Sequence, residues 1–237
     1  MSDKHLSTQF DAELSGICAR VLEMGGLVES QVALALHALT KASAASAEQV
    51  LQVETRVNRM EIEIDRDLQA TIALRQPAAR DLRLLIAVSR ASANLERAGD
   101  EAARIARIAQ RLAGTGIAPR MPLADLAFEA DLAIAQLRKT LDAFARLDAP
   151  RAFEVLAQDD QIDREFEGLL RKLITFMMED PRTISASIDL VFVAKAIERV
   201  GDHAKNLAEA IIYVVEGTDV RHAAPDAADG VVRRGRG

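Results

Sequence analysis

The sequence predicts an all-α protein built as two tandem, similar three-helix bundles, six helices in all. Three observations carry this expectation. Apolar residues recur every three or four positions and no window alternates convincingly as a strand; Gln76-Pro77 and Asp180-Pro181 interrupt that pattern at corresponding places; and a seven-residue motif occurs twice, 102 positions apart.

From Phe10 the apolar residues Leu14, Ile17, Val21, Met24, Val28, Val32, Ala35 and Leu39 keep one stripe facing a core. Ser46, followed three residues later by Gln49, reads as a capping box for a second helix. That helix runs through Val53, Val57, Met60, Ile64 and Leu68 to about Leu74. Gln76-Pro77 breaks it, and proline suits the first turn of the third helix, whose stripe of Leu85, Val88, Leu95, Ala102, Ile105, Ala109 and Leu112 ends near Gly114. Gly116, Pro119 and Pro122 mark a linker.

The second half repeats the plan. A helix with Leu126, Ile134, Leu137, Leu141 and Phe144 is followed by one opened by Asp148 and Pro150 and carrying Leu156, Phe166, Leu170, Leu173 and Met177. Beyond Asp180-Pro181 a last helix with Leu190, Ile197, Ala204, Ile211 and Val215 stops at Gly217. The expected units are therefore residues 1–116, residues 117–217, and a mobile tail over 218–237 that mixes Gly, Asp and Arg with little apolar material.

Hydrophobic residues at 49% and charged residues at 28% are a globular balance, but aromatics reach only 3% and Trp is absent, so the core must be aliphatic and alanine-rich. A net charge of −6 gives no basic field for a nucleic acid backbone, which excludes that partner. The single Cys18 cannot form an intrachain disulfide, and the first residues lack a basic segment leading into an apolar one, so a cytoplasmic protein is expected. No apolar run is long enough for direct membrane insertion.

The repeated motif is Glu-Arg-Ala-Gly-Asp-Glu-Ala from Glu96 and Glu-Arg-Val-Gly-Asp-His-Ala from Glu198. Glu96 and Asp100, like Glu198 and Asp202, are four apart, so each pair projects from one helical face, where like charges repel. Gly99 and Gly201 each add about 1 kcal/mol of helix penalty at the same place. Two penalties repeated together point to a bound cation with tight packing beside it. The preceding helices supply Glu54 with Asn58 and Asp159 with Asp163, again four apart. Folding each hairpin at its proline brings the two sets to one height, about 30 Å from the turn at 1.5 Å per residue. The candidate ligands are thus Glu54, Asn58, Glu96 and Asp100 in one half, and Asp159, Asp163, Glu198 and Asp202 in the other.

Oxygen donors without thiolates admit Fe, Zn, Mn or Mg. No Glu-x-x-His pair is present, which disfavours di-iron oxygen chemistry, and no activated nucleophile is evident, so no catalytic residue is assigned. A single such run would ordinarily be a solvated, ion-paired helix face, but the repetition and matched height favour a cation. Asp159 and Asp163 fall near the apolar stripe of Leu156, Phe166 and Leu170, where bare carboxylates are costly, and Asn58 stands where the other half has Asp163. The second site is therefore expected to bind more tightly. Arg97 and Arg199 fit the role of carboxylate clamps better than that of phosphate ligands, and Gly25-Gly26 suits close helix packing.

The segments His5-Leu6-Ser7, Phe10-Asp11-Ala12-Glu13-Leu14, Met24-Gly25-Gly26-Leu27-Val28-Glu29, Gln76-Pro77 with Asp81-Leu82-Arg83, Phe176-Met177-Met178-Glu179-Asp180 and the two Glu-Arg-x-Gly-Asp repeats together resemble the PhoU family of phosphate-signalling regulators, from the start to Gly217. The resemblance implies a homodimeric adaptor that restrains the phosphate-starvation response, linking the ATPase subunit of a phosphate ABC transporter to a membrane sensor histidine kinase. It also implies that Glu96 with Asp100, and Glu198 with Asp202, belong to a metal-binding motif. The alternatives are a metal-binding bundle or a metalloenzyme unrelated to phosphate signalling.

Overall fold

The computed structural model describes residues 2–113, 121–158 and 160–220. Its helices are α1 (Ser2–Thr40), α2 (Ala44–Arg75), α3 (Ala79–Leu112), α4 (Leu123–Arg146), α5 (Ala149–Gln158), α6 (Asp160–Glu179) and α7 (Ile184–Glu216), with a 3-10 turn over Pro181–Thr183. Segments α5 and α6, on either side of residue 159, make up the expected fifth helix, and no strand occurs among the described residues.

Local chemistry sets the helix ends, in two places differently from expectation. The cap of α2 is Ser43, whose hydroxyl accepts from the Ser46 amide at 3.2 Å, so Ser46 lies inside the first turn. Ala42 reverses the chain just before it, at φ 49°. Pro77 stands before the Ala78 cap of α3 rather than within its first turn, and the break itself is made by Gln76, left-handed at φ 49°, whose amide donates to the Ile72 carbonyl. Asp148 accepts from the Arg151 amide and Asp180 from the Arg182 amide, while Gly217 closes α7 at φ 71°. Residues 218–220 do not trail away as expected, since Val220 is buried in the core. The rest of the expected tail, with His222, and the linker glycine and proline at Gly116 and Pro119 lie outside the described residues.

Helices α3 and α7 are the centre of the molecule. Contacts of Arg111 with Asp189, Arg199 with Glu101, and Asn206 with Asn94 run them antiparallel along their lengths. Helices α1 and α2 pack on α3, and α4, α5 and α6 pack on α7. Alanines and glycines at the buried positions Ala98, Gly99, Ala102, Ala103 and Ala106 of α3, and Ala194, Gly201, Ala204 and Ala208 of α7, suit close approach of backbones. One continuous apolar core runs through both halves.

The motif glycines have a packing reason. Gln31 of α1, fully buried, donates from Nε2 to the carbonyls of Val50 and Gly99, both at 3.3 Å, and so ties the three helices of the first half together. A Cβ at Gly99 would stand 3.1 Å from Gln31 Oε1. At Gly201 it would stand 2.8 Å from Ile162 Cδ1 and 3.4 Å from Oε1 of Gln136, the corresponding glutamine on α4. Of the other pair, only Gly25 serves close packing: a Cβ there would meet Leu141 Cδ2 at 2.3 Å, whereas Gly26 has nothing within 4 Å.

Candidate metal centres and the cleft between the repeats

In the first half the expected residues do approach one another. Glu96 is held above the usual carboxylate range by burial, then by Asp100, Glu61 and Glu54. Asp100 is raised by desolvation and then by the charge of the neighbouring Glu54. Asn58 points a buried Oδ1 that has no partner among the described residues. Glu54 itself is clamped by Arg107, whose Nη2 donates to both carboxylate oxygens at 2.9 Å.

Glu61, which the sequence reading did not select, belongs to this set, its own carboxyl raised by burial and by Asp65 and Asp100. It was legible in principle, because Glu54, Asn58 and Glu61 follow one helical face at steps of four and three.

The second half differs more. Asp159 lies outside the described residues. Asp163 is exposed, so the expected burial cost beside the apolar stripe does not arise for it. Glu198 receives Lys195 Nζ at 2.5 Å on Oε1, while its Oε2 is buried without a partner among the described residues. Glu129 of α4 lies within reach of the charges of both Glu198 and Glu165 of α6, and Glu129 and Glu165 were both missed. Glu129 is 1% exposed, neither of its oxygens has a hydrogen-bond partner among the described residues, and burial first, then Glu198 and Glu165, push its carboxyl up to about 8. Its signal was faint: a lone acid three residues after Leu126, on the apolar face of α4.

Among the described residues no three acids or imidazoles stand in one coordination sphere as they are placed. The donor chemistry nevertheless suits a hard cation: buried amide and carboxylate oxygens such as Asn58 Oδ1 and Glu198 Oε2 lack partners among the described residues, and acids raised by one another's charge would be relieved by a positive ion.

The antiparallel contact of α3 with α7 sets the two motifs beside one another, which the sequence did not foretell. They line an open cleft of about 790 Å³, with Arg97, Asp100 and Glu101 on one wall and Arg199, Asp202 and His203 on the other. The walls are not equivalent. Arg199 Nη1 donates to Glu101 Oε1 at 2.8 Å, but the position matching Glu101 in the second motif is His203. His203 Nδ1 lies 3.1 Å from Asn94 Oδ1, an acceptor, so Nδ1 carries the proton. Burial, with Arg97 and Arg199 nearby, drives the imidazole down to about 4 and keeps it neutral. Arg199 thus acts as the carboxylate clamp anticipated for it. Cys18, partly buried, has its thiol pushed up by burial, away from a reactive thiolate.

Fold and site together define a duplicated helical-bundle protein whose paired motifs present carboxylates from facing helices. The PhoU domain family model matches residues 21–109 and 128–211, and the chain belongs to the PhoU family. It is 47% identical over 227 residues to a phosphate-specific transport system accessory protein PhoU homolog of a Burkholderia species, covering 95% of this chain and 97% of that one. It is 41% identical to the accessory protein PhoU of Escherichia coli K12, across 96% and 93% of the two chains. Among solved structures, PhoU from Pseudomonas aeruginosa superposes with a TM-score of 0.85 at 43% identity, covering 88% of this chain and all (100%) of that one. The phosphate transport system regulatory protein PhoU from Streptococcus pneumoniae gives 0.82 at 27% identity, with 89% and 99% covered.

Proposed function

We propose that this protein is a cytoplasmic regulator of phosphate uptake that restrains the phosphate-starvation response when phosphate is plentiful. It works as a homodimeric adaptor without turnover of its own, between the ATPase subunit of a phosphate ABC transporter and a sensor histidine kinase. The observation that carries this reading is the end-to-end likeness to accessory proteins of phosphate-specific transport, on nearly the full length of both chains. No described helix is long and apolar enough to cross a membrane, consistent with reaching a transporter through protein contact.

Each half holds a hard divalent or trivalent cation, Fe, Zn, Mn or Mg, between its paired helices. Glu54, Asn58, Glu96 and Asp100 serve the first site, and Asp159, Asp163, Glu198 and Asp202 the second. The ion supplies positive charge that ties one helix to the next. Arg107 and Lys195 mark where that charge is needed, since each holds one carboxylate of a set.

A clean deletion tests the regulatory reading. Phosphate-starvation genes should be expressed in phosphate-rich medium, and normal repression there would remove the assignment. Light scattering that gives the mass of one 25.7 kDa chain across micromolar concentrations would count against the homodimer.

A further inference from the structure

The geometry points to a further ligand in the second half alone: Glu129 of α4, whose two buried oxygens would join Glu198 of α7 and, after a shift of side chains, Glu165 of α6 around a hard cation such as Mn2+, since as placed the three do not share one coordination sphere. This rests on reading the motifs as cation sites, and extends the second of them into the core.

Glu129 lies on a face of α4 beside Leu126, Ala130, Ala133 and Leu137, all fully or almost fully buried. A carboxylate there has lost its water, and neither Oε1 nor Oε2 finds a hydrogen bond among the described residues. Buried polar groups are normally satisfied, so two orphaned oxygens on one side chain require a partner of another kind. Glu198 Oε2, buried and also without a hydrogen-bond partner among the described residues, belongs to the acid whose charge acts most strongly on Glu129. Two unsatisfied acids on facing helices repel one another unless a proton or a cation stands between them. A cation satisfies both, and Glu165 is the third acid whose charge reaches Glu129.

The first half has no acid at the matching position. Gln31 and Gln136 occupy equivalent places, each against a motif glycine. Seven residues before them stand Met24 and Glu129, so the core position that is an acid in one repeat is a fully buried methionine in the other. The substitution between those side chains is an experiment the duplicated chain has already set up.

The test uses full-length protein stripped by a chelator and titrated with Mn2+, read by loss of the free-ion paramagnetic resonance signal and by thermal shift. Glu129→Met supplies the first-half residue, and Glu129→Gln keeps the shape while removing the charge. Wild type should show a tighter and a weaker class of Mn2+. Both variants should weaken the tighter class by about tenfold or more, since loss of outer-shell support alone commonly costs about 10- to 100-fold. The weaker class and the metal-free helical fold should be unchanged. If Glu129→Gln folds poorly, Glu129→Met decides, because Met24 already fills the equivalent space. An unchanged tighter class in the folded variants overturns this inference alone. Wild-type protein that takes up no Mn2+ overturns both it and the reading on which it rests.

Discussion

Replacing Glu129 by Gln in metal-free protein should make stability less sensitive to pH. The carboxyl stands at about 8 in the folded chain against an ordinary 4.5, raised by burial and then by Glu198 and Glu165. A raised folded-state value means that the native state binds more protons than the unfolded chain between those two limits. Stability is therefore fully present below about 4.5, falls as pH rises, and levels off above about 8. At about 1.36 kcal/mol per pH unit, wild type should lose about 3 kcal/mol between pH 4.5 and pH 7 through this one group. For a chain of this length that is about 6 to 12 °C in melting temperature. Glu129→Gln removes the titration but leaves a buried amide, so the decisive quantity is the slope with pH and not the absolute stability. Urea unfolding of chelator-treated wild type and variant at four pH values from about 5 to 8 would measure it. Parallel stability profiles would refute the reasoning, because they would mean that Glu129 keeps its water or a permanent partner.

Gly25→Ala should destabilise by about 1 to 3 kcal/mol because its methyl meets Leu141, whereas Gly26→Ala, in open space, should stabilise by up to about 1 kcal/mol; paired thermal melts check this. Arg199→Ala should cost about 1 to 2 kcal/mol in denaturant unfolding, with partial recovery in Arg199→Lys, because it strips the donor from the almost buried Glu101; a change below about 0.5 kcal/mol would argue against it. Asp202→Ala should remove most tightly held metal in elemental analysis, while Asp100→Ala should leave most of it and Asn58→Asp should strengthen the first site. Equal losses from the two alanine variants would sink that ranking.

Much of the helical plan was legible because burial imposes a period. Leu85, Val88, Leu95, Ala102, Ile105 and Ala109 are all core residues of α3, as their spacing required. Ser46 and Pro77 were misplaced by a few residues because capping is a contest among neighbours, and Ser43 and Gln76 adopt the deciding conformations. Glu54, Asn58, Glu96 and Asp100 could be picked out from four-residue spacings along α2 and α3, while Glu61, on the same face of α2, was passed over. Glu129 was not legible, since its partners come from α6 and α7 and a lone acid in an apolar stripe carries no sequence label. The shared cleft was hidden for a related reason: spacing locates two motifs along a chain, but only the packing of α3 against α7 sets them side by side.

That central helix pair bears on the history and the divisibility of the molecule. A single three-helix repeat would present the seam face of α3 or α7 to water, so a chain cut between α3 and α4 should yield fragments that recombine rather than persist as separate folded pieces. In an ancestor with one repeat, the same face would have been a two-fold contact between identical subunits, where position 101 and position 203 were one residue and had to satisfy both sides alike. A chain that carries both repeats is free of that constraint. Glu101 could keep its arginine while its twin became His203, giving a seam that has a direction where a symmetric dimer has none.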